Sequence, residues 1–112
     1  MLSKKNRVLK DDFSLLFKKG RRLNSKIAQI VYFKNKNFNK SKFAFIVSSK
    51  EIKKSFLRNK LKRRARYVIK ECLKNIKIPC FAAFVFNKNV LRADFLELKK
   101  GILNLLVKSE II

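Results

Sequence analysis

The 112-residue sequence contains no histidine and no tryptophan, and it has few acidic side chains. Without histidine, the chain cannot form the serine–histidine or cysteine–histidine pairs that many hydrolases use for nucleophilic catalysis. Its seven acids are scattered, apart from the adjacent Asp11 and Asp12, whereas a two-metal nuclease needs several carboxylates at one site. The composition therefore argues against a protein that cleaves phosphodiesters with its own side chains.

Cysteine is also scarce, since Cys72 and Cys80 are the only two. They lack the CxxC or Cys/His spacing of a zinc site, so we expect small core residues or inert thiols, with a disulfide between them as the alternative. Residues 1–10 are basic and polar, and no signal-peptide apolar run follows them. No apolar run reaches the length of a membrane span. These absences predict a cytoplasmic protein.

Positive charge is abundant, because 30 lysines and arginines stand against seven acids and give a net charge of +23. Self-repulsion on this scale destabilises a compact chain, which makes a polyanion the expected partner. Nucleic acid is the first choice, and a membrane surface is the competing one. The chain is 47% hydrophobic with 11 phenylalanines, so it can build a core. We therefore predict one folded RNA-binding domain over residues 1–112.

The spacing of apolar residues predicts an alternating order of helices and strands. The predicted helices cover residues 10–19, 56–75 and 92–108, and the predicted strands cover 27–33, 43–47 and 81–86. We interpret the first two strands as antiparallel neighbours. The helix between the second and third strands indicates that these two run parallel in one sheet.

The central predicted helix has one cationic face and one apolar stripe, which consists of Leu57, Leu61, Ala65, Val68, Ile69, Cys72 and Leu73. Residues 50–70 hold ten basic residues and one acid. On an ideal helix the face opposite the stripe carries Asn59, Arg63, Arg66 and Lys70, flanked by Lys60 and Lys62. A merely solvated face would mix charge signs, and arginine binds phosphate bidentately, so this face predicts nucleic-acid binding. Arg58 falls near the edge of the apolar stripe and is expected to serve packing as well.

Phe13 and Phe17 lie on one side of the first helix, among basic residues. We expect them to pack in the core, with a partly exposed platform for stacking bases as the alternative. Tyr32 and Phe33 point to opposite faces of their strand, so one of them should share the side of these phenylalanines.

The stretch SFLRNKLKRRARYVIKE, residues 55–71, resembles the signature of the bacterial ribonuclease P protein component. That family has an Arg-Asn-Arg/Lys triplet, a hydrophobic residue and Lys-Arg, matched here by residues 58–63, with Arg66 one turn further. The segment NRVLKDDFSLLFKKG resembles the family's opening, and Lys50 resembles a basic residue after its third strand. The resemblance covers about residues 6–108. Lys53 departs from it, because similar sequences usually have glycine there.

The resemblance implies a two-layer α/β (α+β) sandwich with three helices and a mixed sheet of about four strands. The implied order is α-β-β-(β)-α-β-α, with a left-handed β-α-β crossover in place of the usual right-handed one. It also implies the protein subunit of a ribonucleoprotein endoribonuclease whose RNA subunit catalyses the reaction with magnesium ions. The protein itself would bind no cofactor and carry no catalytic residue. No membrane or small-molecule substrate is expected as a partner.

Two sets of site residues follow from the resemblance. The expected contacts with the catalytic RNA are Lys50, Lys54, Arg58, Asn59, Lys60, Lys62, Arg63 and Arg66. The 5′ leader of precursor tRNA, whose removal makes the mature 5′ end, would lie in a cleft lined by Phe13, Phe17 and a strand aromatic, taken as Tyr32. The alternative is a small basic ribosomal or other structural RNA-binding protein, which has no cleavage role.

The charge pattern makes a prediction about salt. We expect the affinity for RNA to fall log-linearly with salt concentration, because each neutralised phosphate releases counterions and contributes a slope of about 0.7–0.9. Filter binding or fluorescence anisotropy over a salt series measures this slope. A flat response between low and physiological salt would contradict the electrostatic interpretation.

Overall fold

The computed structural model describes residues 10–112, so the basic start with Lys4, Lys5 and Arg7 lies outside the described residues. The elements in chain order are α1 (Lys10–Lys19), β1 (Arg21–Asn24), β2 (Ala28–Lys34), β3 (Lys42–Val47), α2 (Ser55–Cys72), β4 (Cys80–Phe86) and α3 (Phe95–Lys108). Short 3-10 turns follow α2 at Leu73–Asn75 and β4 at Lys88–Arg92. Three helices and a four-stranded mixed sheet confirm the predicted α+β class and element order, with β1 as the additional short strand.

The sheet has the strand order β1-β2-β4-β3. β4 pairs antiparallel with β2 and parallel with β3, which confirms the predicted parallel pair. The interpretation of β2 and β3 as neighbours was wrong, because β4 lies between them. The reason is the sequence of β4, CFAAFVF, which has no polar side chain to turn to solvent and is satisfied only at the centre of the sheet. The left-handed sense of the crossover through α2 stays a prediction.

Both faces of the sheet are covered, but unequally. The main core lies under α2 and α3, where Ile30, Phe43 and Phe84 pack against the apolar stripes of both helices. A smaller cluster on the opposite face joins Leu16 of α1 to residues of β2 and β4. The predicted stripe of α2 is confirmed, since Leu61, Ala65, Val68, Ile69 and Cys72 are buried. Within residues 10–112, no helix combines the length and the apolar character that crossing a membrane requires.

Gly20, between α1 and β1, allows a close approach of two backbones. A Cβ atom at this position would lie 2.3 Å from the carbonyl oxygen of Leu16 and 3.2 Å from that of Tyr32. The amide of Gly20 donates to the same Leu16 oxygen at 2.7 Å. The glycine ends the helix as expected, yet its φ angle is not positive, so lack of space explains it here and not a left-handed cap.

We predict that Gly20→Ala lowers the free energy of unfolding by about 1–3 kcal/mol, because backbone atoms cannot yield to the added methyl group. Urea unfolding followed by circular dichroism measures the change. Gly101→Ala is the matched control, since its Cβ would meet only the end of the Ile27 side chain and alanine favours the helix interior. Equal stability changes for the two variants would contradict the role given to Gly20.

Candidate nucleic-acid interface

The cationic face of α2 lies where the sequence predicts it. Asn59, Lys60, Arg63 and Lys70 are exposed, and Lys62 and Arg66 are half-buried. From Ser55 to Lys70 the helix carries seven basic residues and no acid. Lys50 and Lys54 are exposed in the connection that leads into the helix. Their contact with RNA stays a prediction, and all of them lie in α2 or in the connection that precedes it.

The amino end of α2 adds to this positive surface. Lys54 is the N-cap residue, no side chain caps the first turn, and the turn has no acid. The backbone N–H groups of a first helical turn carry partial positive charge and attract anions. Lys53 and Lys54 therefore strengthen a potential that the helix backbone already creates.

Arg58 has a structural role that separates it from the other basic residues. Its Nη1 atom donates to the carbonyl oxygens of Ile52 at 2.8 Å and Lys53 at 2.7 Å. Ile52 is almost fully buried, so these bonds fasten the β3–α2 connection to the helix. The expectation that Arg58 also has a structural role is thus confirmed, while its contact with RNA stays a prediction. Lys53 stands where the resemblance predicts glycine, and it does not have a left-handed backbone, because Glu110 is the only non-glycine residue of the described chain with a positive φ angle.

A second candidate surface lies on the face of the sheet that α1 covers. The rings of Phe13 and Phe17 stack with centroids 6.0 Å apart. Phe13 is half-buried against the small cluster, whereas Phe17 is 40% exposed and has the Arg22 guanidinium 5.7 Å from its ring centre. Phe13 thus matches the core interpretation, and Phe17 matches the alternative of a partly exposed platform.

The structure separates Tyr32 from these phenylalanines, which corrects its predicted place in their cleft. Tyr32 is 7% exposed and belongs to the core under α2 and α3. The strand aromatic that shares the side of Phe13 is Phe33. Side chains alternate between the faces of a strand, and the burial of Val31 under α1 decides which set faces that helix.

Three residues on this face were missed in the sequence. Phe81 pairs directly with Phe33 across β2 and β4, and the ring of Phe38 stacks on that of Phe81 with centroids 4.1 Å apart. The Lys42 Nζ atom lies 5.3 Å from the centre of the Phe81 ring and 3.1 Å from an Asp12 carboxylate oxygen. Phe38 is the one apolar residue in a turn of asparagines and lysines, and that isolation is a signal that could have marked it.

The two cysteines are free and buried, as expected for core thiols. Burial raises the pKa of Cys80 to about 12 and also raises the pKa of Cys72. Both groups therefore stay protonated at neutral pH and contribute packing, not nucleophilic chemistry. In the part of the chain that the structure describes, no three His, Cys, Asp or Glu side chains lie close enough to hold a metal ion.

The described chain thus carries a cationic helix over one face of a four-stranded sheet and partly exposed aromatic side chains on the other face. The family model described as Ribonuclease P matches residues 2–110. The chain belongs to the ribonuclease P protein family. It is the protein subunit of an RNA-containing endoribonuclease, binds RNA and takes part in tRNA processing. The ribosomal alternative is thereby excluded.

Solved structures of RNase P proteins from two bacteria have a fold similar to that of this chain. The RNase P protein of Thermotoga maritima is 28% identical, with a TM-score of 0.78 over 89% of this chain and 94% of that one. The same protein in complex with 1-(4-fluorophenyl)-2-thiourea is 29% identical, with a TM-score of 0.76 over 85% and 91%. A Staphylococcus aureus RNase P protein mutant with defective mRNA degradation activity is 22% identical and supports the fold, with a TM-score of 0.88 over 97% and 92%. None of the curated proteins compared with the chain matches it.

The geometry predicts different outcomes for two arginines of α2. Arg58→Ala should lower the free energy of unfolding by about 1–3 kcal/mol, because it removes charge-assisted bonds to two carbonyl groups. Arg63→Ala, at an exposed position, should change stability by less than about 0.5 kcal/mol and weaken RNA binding. Urea unfolding and RNA binding, measured on both variants, test this. Loss of stability in Arg63→Ala would show that this residue is structural.

Proposed function

We propose that α2 binds the catalytic RNA of ribonuclease P, and that the α1 face of the sheet holds the single-stranded 5′ leader of precursor tRNA. The observation that carries the proposal is the chemical difference between these two surfaces. One is a helix that carries seven basic residues and no acid from Ser55 to Lys70, and the other is a sheet face that carries aromatic rings next to cations. The protein would thus bridge the RNA subunit and the substrate.

The support for the α2 surface is charge and shape. A structured RNA offers phosphates at its surface, and exposed arginines such as Arg63 can bind them bidentately. Asn59 can donate to phosphate or sugar oxygens beside them. The proposed contacts are Lys50, Lys54, Asn59, Lys60, Lys62, Arg63 and Arg66. Arg58 contributes to RNA binding through its positive charge and by holding the β3–α2 connection in place.

The support for the leader cleft is its combination of rings and charges. Single-stranded nucleic acid is bound by aromatic faces in a basic groove, because every base has a face that can stack. Phe17 has an exposed ring beside Arg22, and Phe33 lies on the same face of the sheet as α1. We propose Phe13, Phe17 and Phe33 as the leader-binding residues.

We assign catalysis to the RNA subunit and its magnesium ions. The chain has no histidine, so the familiar acid–base and nucleophile pairs are not available to it. Its contribution is to position the substrate, which lowers the barrier by orientation. The protein itself needs no bound cofactor for that role, and we propose that it acts in the cytoplasm on newly made precursor tRNA.

Leader binding predicts a defect that depends on the substrate. Phe17→Ala should leave the affinity for the catalytic RNA unchanged. The holoenzyme made with it should bind precursor tRNA with a long 5′ leader more weakly, by about 1–3 kcal/mol for each stacked base that is lost. Mature tRNA has no leader, so its affinity should not change. Equilibrium binding of both tRNAs to the assembled holoenzyme measures the difference.

Phe56→Ala is the matched control, because Phe56 is an exposed phenylalanine of α2, distant from the α1 face. It should not discriminate between the two tRNAs. Phe33→Leu should share the leader defect, whereas Tyr32→Phe, on the opposite face, should not. If Phe17→Ala weakens the binding of both tRNAs equally, or lowers only the stability of the protein, the assignment of the leader site is wrong. The assignment of α2 to the catalytic RNA still stands in that case.

A further inference from the structure

A small slot opens beside α2, on the flank that faces α3 and the 3-10 turn Lys88–Arg92. Its volume is about 120 Å³. Leu61, Val90 and Leu98 are buried residues of its lining, and Leu91 lines it from a half-exposed position. Lys60 and Arg64 line it on the α2 side. Successive residues of a helix are 100° apart, so this flank lies across the apolar stripe from Lys62 and Arg66.

Exposed aromatic rings stand on the same flank as these two cations. Phe56 is 63% exposed and Tyr67 is 56% exposed. They precede Lys60 by four residues and follow Arg64 by three, which are the spacings of neighbours on one side of a helix. The Tyr67 ring also lies 6.0 Å from that of Phe95 in α3. Along about 16 Å of helix, this flank therefore carries two cations with an aromatic side chain at each end.

The slot excludes several classes of ligand by size and chemistry. It is smaller than the roughly 300–1,000 Å³ of pockets that enclose whole drug-sized molecules. Bare phosphate would gain nothing from the leucines and valine that line it, and an apolar side chain would gain nothing from the two cations. A flat ring that carries an anion uses both features. An RNA nucleotide is such a group, and the charge of the chain already favours RNA.

We propose that this slot takes one unstacked base of the ribonuclease P RNA subunit, with the adjoining phosphates bound by Lys60 and Arg64. The proposal rests on the proposed binding of that RNA by α2. It divides the helix into two functional flanks: the side of Arg63 and Arg66 contacts phosphates, while the side of Lys60 and Arg64 holds a base. A base contact requires a loop, bulge or strand end in the RNA, because a paired base cannot enter.

The test compares two leucines of similar exposure. Leu91→Ala removes part of the slot wall, whereas Leu96→Ala changes a residue that is 58% exposed, against 52% for Leu91, and lies outside the slot. With an in vitro transcribed bacterial ribonuclease P RNA, we expect Leu91→Ala to bind about five- to tenfold more weakly, since apolar contact with the base is lost. The dependence on salt should keep its slope, because no phosphate contact changes. Leu96→Ala should bind like the wild type.

A second measurement probes the slot without that RNA. Methyl resonances of the wild-type protein are followed while AMP or ribose 5-phosphate is added. We expect AMP to shift the methyl signals of Leu57, Leu91 and Ala93, and ribose 5-phosphate, which lacks a base, to leave them in place. Equal binding by the two leucine variants, together with no shift by AMP, overturns the slot while the proposed function stands. Failure of the wild-type protein to bind the RNA subunit overturns the proposed function, and the AMP titration still shows whether the slot binds a base.

Discussion

The structure depends on one strand that must be buried on both faces. β4 consists of apolar side chains throughout, and six of its seven residues are buried. Such a strand needs a partner at each edge and a cover on each face. β2 and β3 provide the edges, the pair α2 and α3 covers one face, and α1 covers part of the other. The cover by α1 leaves Phe33 and Phe38 only partly buried, so the proposed leader site follows from how the core is closed.

The second constraint is the distribution of charge. With a net charge of +23, the fold must separate its cations and keep them in water. α2 does this by burying one stripe and presenting its other sides to solvent. The anionic partner completes the arrangement, because its phosphates replace the repulsion between neighbouring arginines with attraction. RNA binding therefore relieves a repulsion that the folded chain otherwise carries.

Much of this fold could be predicted from the sequence, and the errors have physical causes. α1 was predicted with the bounds that the structure has, because Phe13, Leu16 and Phe17 recur at the spacing of one helix face. β1 was not delimited, since RRLN is mostly exposed and has no apolar alternation. The pairing of β2 with β3 was wrong because adjacency along the chain favours a hairpin, while β4 comes from far along the sequence. Local patterns do not report such distant pairings.

The candidate sites divide in the same way. The cationic face of α2 is a property of one helix, so helical spacing was sufficient to find it. The cleft joins α1, β2, β4 and a turn, and its membership depends on sheet register. Alternation alone left Tyr32 and Phe33 as equal choices until the packing of Val31 decided between them. The slot beside α2 was not predicted, because Lys60 of α2 and Leu91 of the 3-10 turn Lys88–Arg92 come together only in the folded chain.

The central place of β4 has a consequence for synthesis. β2 and β3 have no hydrogen-bonded contact with each other and meet only through β4, which begins at Cys80. A nascent chain that has emerged only as far as α2 therefore lacks the complete sheet against which the apolar stripe of that helix is buried. The cationic segment leaves the ribosome before the strand that completes the sheet. The core of this domain is thus completed late in synthesis, when β4 and α3 have been added.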